Sequence, residues 1–402
     1  MRSFFPLGEY NGLQRSIQKT HVFPIDLSVK ARKYGILEET RSMEKNYHAQ
    51  RDVQNILQLR EVLKEFPPFA KQYFIGVEST TASRTRLSYA YDIRTFFRYL
   101  VQNNPVLAKK DVKTWDVSVL DMLTATDIEE YESFLRVYDV GEEDLGAPRE
   151  ARFTNGENGL KRKMSALRSF YAYFYKREMI KTNPTLLVDM PKLHEKTIIR
   201  LDAGEAAALL DHIEFGGNEL TGQRKNYYEK TKIRDLAIVT LLLGTGIRVS
   251  ECVGLDIEDV DFRNNGIHVI RKGGSEAVIY FGEEVEEALK NYLNERKSIT
   301  PFPGHEHALF YSTQKKRMGV QAVENMVKKY AREVTTAKKI TPHKLRSTYG
   351  TALYQDTGDI YLVADVLGHK DVNTTRKHYA AMDDARRRSA AEVVRLREKR
   401  GK

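Results

Sequence analysis

This 402-residue chain predicts a mainly α-helical protein of two modules, the second carrying one small β-sheet. Three observations carry that reading. From Arg51 onward, apolar residues recur at three- and four-residue steps through most of the chain, the period of a helix with one buried face. A single pair of runs rich in β-branched and aromatic residues, 267–270 and 277–281, is joined by Lys272-Gly-Gly-Ser and reads as a β-hairpin. Met190-Pro-Lys-Leu-His-Glu-Lys196 has the composition of a linker and places a boundary near residue 195. The resulting division is an N-terminal extension over 1–50, an all-α module over 51–195 and a mainly-α module over 196–402.

The elements follow in order. Residues 1–50 mix aromatics, glycine and scattered charges without a period, so no structure is assigned to them. Val53, Ile56, Leu57, Leu59 and Val62 mark a helix that runs up to Phe66-Pro-Pro. A second helix follows Ser83-Arg-Thr-Arg, with Tyr89, Ile93, Phe96, Phe97 and Leu100 on its apolar face. A third is expected over 120–137, with Ala125-Thr-Asp127 supplying cap chemistry inside it or just before it. Residues 139–159, rich in glycine and acidic side chains, read as a long loop. A fourth helix, 160–177, buries Leu167, Phe170, Tyr171 and Phe174 and is expected to expose Lys161, Arg162, Lys163 and Arg168; Asn183-Pro184 ends it. In the second module Asp202-Ala-Gly-Glu starts a helix, and 234–243 is apolar enough to be a buried one. Helical stretches near 283–297, 320–334, 344–355 and 383–400 follow the hairpin.

Charge and composition narrow the partner. A net charge of +10 and a pI of about 9.3 favour a polyanion, either nucleic acid or an anionic membrane surface. The longest strongly apolar run, 236–243, is far short of the roughly 18 residues that span a bilayer. The first ten residues hold no sustained apolar stretch, so no secretory signal is expected. Cys252 is the only cysteine, which excludes an intrachain disulfide and a cysteine-based metal site and fits a reducing, cytoplasmic setting.

The residues that carry chemistry lie in the second module. Gly244-Thr-Gly-Ile-Arg248-Val-Ser-Glu251 follows the buried helix, and glycines there admit a left-handed turn that aims the next residues sharply. Arg248 reads either as a surface charge after a helix terminator or as a bidentate ligand for two phosphate oxygens. Glu251, three residues on, is placed to orient it. Lys272, at the hairpin tip, is a solvated turn residue or a flexible ammonium able to protonate a leaving oxygen. His343 and Arg346 share one face at the start of a helix opened by Thr341-Pro342, where an anion is favoured. His369, after Leu367-Gly368, is a buried hydrogen-bonded histidine or a phosphate donor. Tyr379 is one of 22 tyrosines, so composition does not single it out, and His378 beside it reads as structural.

Taken one at a time, these residues have ordinary readings; in this order and spacing they resemble the tyrosine recombinases (the phage integrase family), and most closely the Xer-type branch. Thr245-Gly-Ile-Arg248-Val-Ser-Glu251 is similar to its first arginine box, Arg271-Lys272-Gly-Gly to its β-hairpin lysine and His343-Lys-Leu-Arg346 to its His-x-x-Arg box. Leu367-Gly-His369 and Tyr379 complete the set. The resemblance covers roughly 50–385, strongly from about 230. Ser347 stands where Xer-type proteins often carry histidine, and Tyr379 lies ten residues after His369.

The resemblance implies a SAM-like helical core-binding domain followed by an α+β catalytic domain. It also implies DNA transesterification through a 3′-phosphotyrosyl intermediate, acting at paired recombination sites on double-stranded DNA as a homotetramer. In that scheme Arg248 and Arg346 clamp the non-bridging oxygens, His369 donates to them and Tyr379 attacks. His343 helps take the phenol proton, Lys272 protonates the 5′-oxygen and Glu251 orients. The resemblance calls for no cofactor, metal or membrane: the bond to tyrosine stores the energy for rejoining, and two arginines supply the charge a metal would. In the first module Arg84, Arg86, Lys161, Arg162, Lys163 and Arg168 are the candidates for DNA contact. The basic tail 386–400 either docks on a neighbouring protomer, as in the family, or lies solvated on DNA. Competing readings are a catalytically inactive DNA-binding regulator or architectural protein of the same fold, and a monomeric type IB topoisomerase. Resolution of chromosome or plasmid dimers and integration or excision of a mobile element share this chemistry.

Overall fold

The computed structural model describes residues 47–375 apart from 109, 140–151, 195–197, 272–273, 370 and 374. The chain is mostly helical with small antiparallel sheets, as the apolar periodicity predicts.

α1 (Tyr47–Val62) buries Asn55, Leu59 and Val62 rather than the full predicted stripe, and Val53 and Leu57 are exposed. Polar pairing turns the helix: Asn55 donates to the Ser83 hydroxyl at 3.0 Å, and that hydroxyl donates to Asp52 at 2.5 Å. α2 (Pro68–Gly76), which the periodicity did not resolve, starts on a proline at its first turn, where the missing N–H has no intrahelical partner to lose. α3 (Ser83–Asn103) is the predicted second helix and buries Leu87, Ala90, Ile93, Phe96, Phe97 and Leu100. Its aromatic rings interlock with those of α2 and α5 (Glu157–Lys176) and of the turns between: Phe97 meets Phe69 of α2 at 6.5 Å, Phe170 of α5 at 5.9 Å, Phe66 at 5.4 Å and Trp115 at 5.8 Å, all edge to face. That geometry suits ring quadrupoles, and one core runs from Leu59 to Val188.

Three local expectations for this module need correction. α4 (Ala125–Arg136) begins five residues later than predicted, because Thr124 and Asp127 form a reciprocal capping box that fixes the start. Residues Val117–Met122 instead form a 3-10 turn capped by Asp116. The module is also not all-α. The ends of the predicted 139–159 loop belong to β1 (Val137–Asp139) and β2 (Arg152–Thr154), an antiparallel pair with Tyr138 opposite Phe153. Asn155 stabilises the junction by donating to the Leu135 carbonyl at the end of α4, at 2.6 Å. Finally, α5 ends at Lys176, and Pro184 opens a separate 3-10 turn instead of ending the helix.

In the second half, Asp202 and Glu205 cap each other at the start of α6 (Ala203–Phe215), as the sequence pattern predicts. The predicted buried helix is the last part of α7 (Gly222–Thr245), whose residues 237–242 are buried. Around α7 pack α6, α9 (Glu283–Arg296) and α11 (Pro342–Thr357). A short α8 (Val249–Gly254) leads to a three-stranded sheet, β3-β4-β5 in order. β4 (Gly266–Ile270) and β5 (Glu276–Tyr280) are the predicted hairpin, while β3 (Val260–Asp261) is too short to leave a pattern. α10 (Val320–Val334) matches its predicted bounds, and α12 (Ile360–Leu367) is a helix the periodicity did not resolve. The helix expected over 383–400 lies outside the described residues. Among the described residues, no helix is long and apolar enough to cross a membrane.

Candidate active site

Four consecutive carbonyls at the end of α12, from Asp365 to Gly368, organise the site. Last-turn carbonyls have no intrahelical donor and form the negative pole of the helix, so they attract cationic donors. Arginines from three distant segments supply them. Arg271, at the end of β4, donates to the Asp365 carbonyl at 3.1 Å and the Val366 carbonyl at 2.9 Å. Arg346, on the first turns of α11, donates to the Leu367 carbonyl and, at 2.6 Å, to the Gly246 carbonyl. Arg248 donates to the Gly368 carbonyl at 3.2 Å.

Two glycines make this convergence possible. Gly246 ends α7 in the left-handed region at φ +63°, and an added Cβ would lie 2.3 Å from Tyr349 and 3.0 Å from Leu367. Gly368 ends α12 at φ +61°, and an added Cβ would lie 2.4 Å from the Arg271 guanidinium. Both positions combine a backbone that L side chains avoid with an approach too close for one.

Arg248 occupies the N-cap position of α8. Its backbone N–H and its Nη1 each donate to Glu251, both at 2.7 Å. Glu251 is buried, whereas the Arg248 side chain keeps 30 % of its surface exposed. The carboxylate therefore holds the guanidinium from behind and leaves its other face toward solvent. Arg346 is buried, and His343, one turn earlier on α11, is exposed. His369 follows Gly368 directly. Its N–H donates to the Ala364 carbonyl at 2.9 Å, and its Nδ1 lies 2.7 Å from the hydroxyl of the fully buried Thr375. Arg248, Glu251, Arg346 and His369 are thus gathered around one helix terminus, and His343 rides on the helix that carries Arg346.

Lys272 and Tyr379 lie outside the described residues. Around Lys272, the Arg271 N–H donates to the Ser275 carbonyl at 2.8 Å and the Gly274 N–H to the Arg271 carbonyl at 3.0 Å. Cys252, next to Glu251, is no rival nucleophile: burial, with the Glu251 charge beside it, pushes its thiol up to about 12.

This arrangement fixes three guanidinium groups around one helix terminus. Guanidinium groups stay charged throughout the physiological range and present planar pairs of donors to phosphate oxygens. Sequence reasoning missed Arg271 and Thr375. Arg271 stands beside the proposed lysine, but its carbonyl partners lie more than ninety positions away, and nothing local marks Thr375 as the partner of a histidine.

The first-module candidates divide sharply. Arg84 is exposed, Arg162 keeps 46 % of its side-chain surface exposed while pairing with Asp92, and Lys161 is half-buried. Lys163 and Arg86 are buried, against the expectation of an exposed basic face. Lys163 pairs with Asp92 at 3.2 Å, and Arg86 with Glu78 at 2.8 Å. Arg168 donates to the carbonyls of Thr185 and Val188, tying α5 to the 3-10 turn after it. Burial raises the Asp92 carboxyl, and Lys163 and Arg162 pull it back down. These inner charges follow from the need to pair any buried ion.

Comparison with known proteins decides the family. The sequence pattern of the Phage integrase family matches residues 200–386. Tyrosine recombinase XerC of Caldanaerobacter subterraneus subsp. tengcongensis is 32 % identical over 348 residues, covering 83 % of this chain and 88 % of that one. The chain belongs to the tyrosine recombinase family. Tyrosine recombinase XerS of Streptococcus thermophilus is 29 % identical to this recombinase over 356 residues, 81 % of this chain and 96 % of that one. Among solved structures, XerH bound to a palindromic difH substrate in a post-cleavage complex shares the fold at a TM-score of 0.56 and 20 % identity, over 78 % of this chain and 80 % of that one. The Tn1549 transposon integrase in complex with a circular intermediate DNA does so at 0.55 and 18 % identity, over 81 % and 99 %. The recombinase is therefore Xer-like in family and mainly α-helical in fold.

Proposed function

We propose that the recombinase cuts and rejoins duplex DNA at paired recombination sites through a 3′-phosphotyrosyl intermediate. The observation that carries this is the convergence of Arg248, Arg271 and Arg346 on the last carbonyls of α12, beside His369. A phosphodiester in transition carries its charge on non-bridging oxygens, and preorganised donors in a partly buried site stabilise that charge without reorganising. In this reading Arg248 and Arg346 bind those oxygens and His369 adds a donor. Tyr379 is the nucleophile, His343 helps take its proton and Lys272 protonates the departing 5′-oxygen. Glu251 keeps the Arg248 fork in register.

The chain works as three parts, an extension over 1–50, a core-binding domain over 51–195 and a catalytic domain over 196–402. On the first domain Arg84, Lys161 and Arg162 touch phosphate, while Arg86, Lys163 and Arg168 hold the helices that present them. Four protomers assemble on two sites in the cytoplasm. The buried, unreactive Cys252 suits that compartment.

A nicked suicide duplex tests the chemistry. The duplex is selected from a random-sequence pool by covalent capture on the wild-type protein. Wild type forms a covalent protein–DNA adduct and Tyr379→Phe forms none; an adduct with the phenylalanine variant sinks the assignment.

A further inference from the structure

We propose that Thr375 is a positioning residue that fixes the tautomer of His369, so that Nε2 carries the proton His369 donates to the DNA phosphate. The inference rests on the phosphate-donor role proposed above for His369 and adds the group that sets it. The Thr375 side chain is fully buried, and its hydroxyl lies 2.7 Å from His369 Nδ1. Among the described residues that nitrogen is the hydroxyl's hydrogen-bond partner, and no carbonyl one turn back takes its proton, as happens for Ser347, Thr348 and Thr357 on α11.

Two arrangements are chemically possible. If Nδ1 carries the proton, the hydroxyl accepts it, and its own O–H is left buried with nothing among the described residues to donate to, an unfavourable state. If Nδ1 is bare, the hydroxyl donates to it and both groups are satisfied. A neutral imidazole holds one proton, so a bare Nδ1 places it on Nε2.

The ring's position is fixed from the other side as well. The His369 N–H closes on the Ala364 carbonyl, and Gly368 before it is gripped by Arg248 and packed on Arg271. Arg248, Arg271 and Arg346 hold the segment leading into His369, and Asp371 follows on the exposed side. A neutral imidazole donates from Nε2 only if its tautomer is set.

The experiment has two arms on the full-length chain. In the first, 15N-histidine-labelled protein without DNA is recorded at about pH 8, above the ordinary histidine range. The His369 signal is assigned by its loss in His369→Gln. Wild type and Thr375→Ser show a bare Nδ1 and a protonated Nε2, and Thr375→Val, which keeps the shape but not the hydroxyl, shows a mixture. In the second arm, single-turnover cleavage of the captured duplex falls about tenfold in Thr375→Val at unchanged DNA affinity and recovers in Thr375→Ser.

A wild-type His369 protonated at Nδ1 overturns the inference, and that measurement needs no variant to fold. So does Thr375→Val cleaving at the wild-type rate while His369→Gln is slow, or Thr375→Ser failing as badly as valine. If His369→Gln itself cleaves at the wild-type rate, the phosphate-donor role fails instead, and the tautomer arm still reads the Thr375 contact on its own.

Discussion

Arg346 joins three stretches of backbone with one side chain, and its substitution is expected to be felt twice. Arg346→Ala strips donors from the buried Gly246 and Leu367 carbonyls, at about 1–3 kcal/mol for each polar group left unsatisfied. It also removes the proposed phosphate ligand, for which the expected loss in cleavage rate is about a hundredfold to a thousandfold. A urea midpoint and a single-turnover rate measured on the same preparation separate the two, and an unchanged midpoint would show that the carbonyl contacts are not what the structure depicts. Gly246→Ala isolates the backbone. At φ +63° the left-handed conformation alone costs an alanine roughly 1–2 kcal/mol, and the methyl also meets Tyr349. The urea midpoint should drop accordingly, and a midpoint equal to wild type would contradict the close approach. At this scale the sequence was informative about residue identities. Gly-Thr-Gly before Arg248 announced a left-handed terminator, and Gly246 is one. It was uninformative about Lys163 and Arg86, because a basic residue on a helix reads as solvated until the carboxylate that buries it, Asp92 or Glu78, is known in space.

The C-terminal turn of α12 is where elements meet, and Arg271 is its outermost tie. Arg271→Ala should leave the fold intact and loosen that turn. Amide hydrogen exchange at Leu367, Gly368 and His369 is expected to accelerate about tenfold, while amides inside α7 stay as protected as before. Equal protection in wild type and variant would show that the arginine does not hold the turn. Elements with strong period or caps were legible from sequence: α3, α5, α6, α10 and the β4–β5 hairpin sit where the pattern puts them. The misreadings share a cause. α2 is short and aromatic on most sides, β1 and β2 are three residues each, and α12 is eight residues, all too brief for a period to emerge. The late start of α4 was set by a reciprocal side-chain cap that competes with the apolar pattern.

For the whole molecule, the net charge of +10 and the exposed Arg84 and Arg162 predict binding dominated by counterion release. If about six to ten phosphates are neutralised, the logarithm of the DNA association constant should fall with the logarithm of salt at a slope of about −5 to −9. A slope near −1 would sink the proposed set of phosphate contacts. What one sequence could not yield at this scale is the way distant motifs share partners. Gly246 and Arg346 are 100 positions apart, Arg248 and Gly368 are 120, and Arg271 and Asp365 are 94. Those separations also have a kinetic meaning. Contacts this long close large loops and belong to the slow part of folding. A nascent chain that has exposed its first arginine box has Glu251 behind Arg248 but still lacks the carbonyl its guanidinium meets until Gly368 leaves the ribosome. The proposed strand-cutting centre therefore cannot assemble piecemeal on a half-made protein: it comes into being only once the segment through Gly368 is present to complete it.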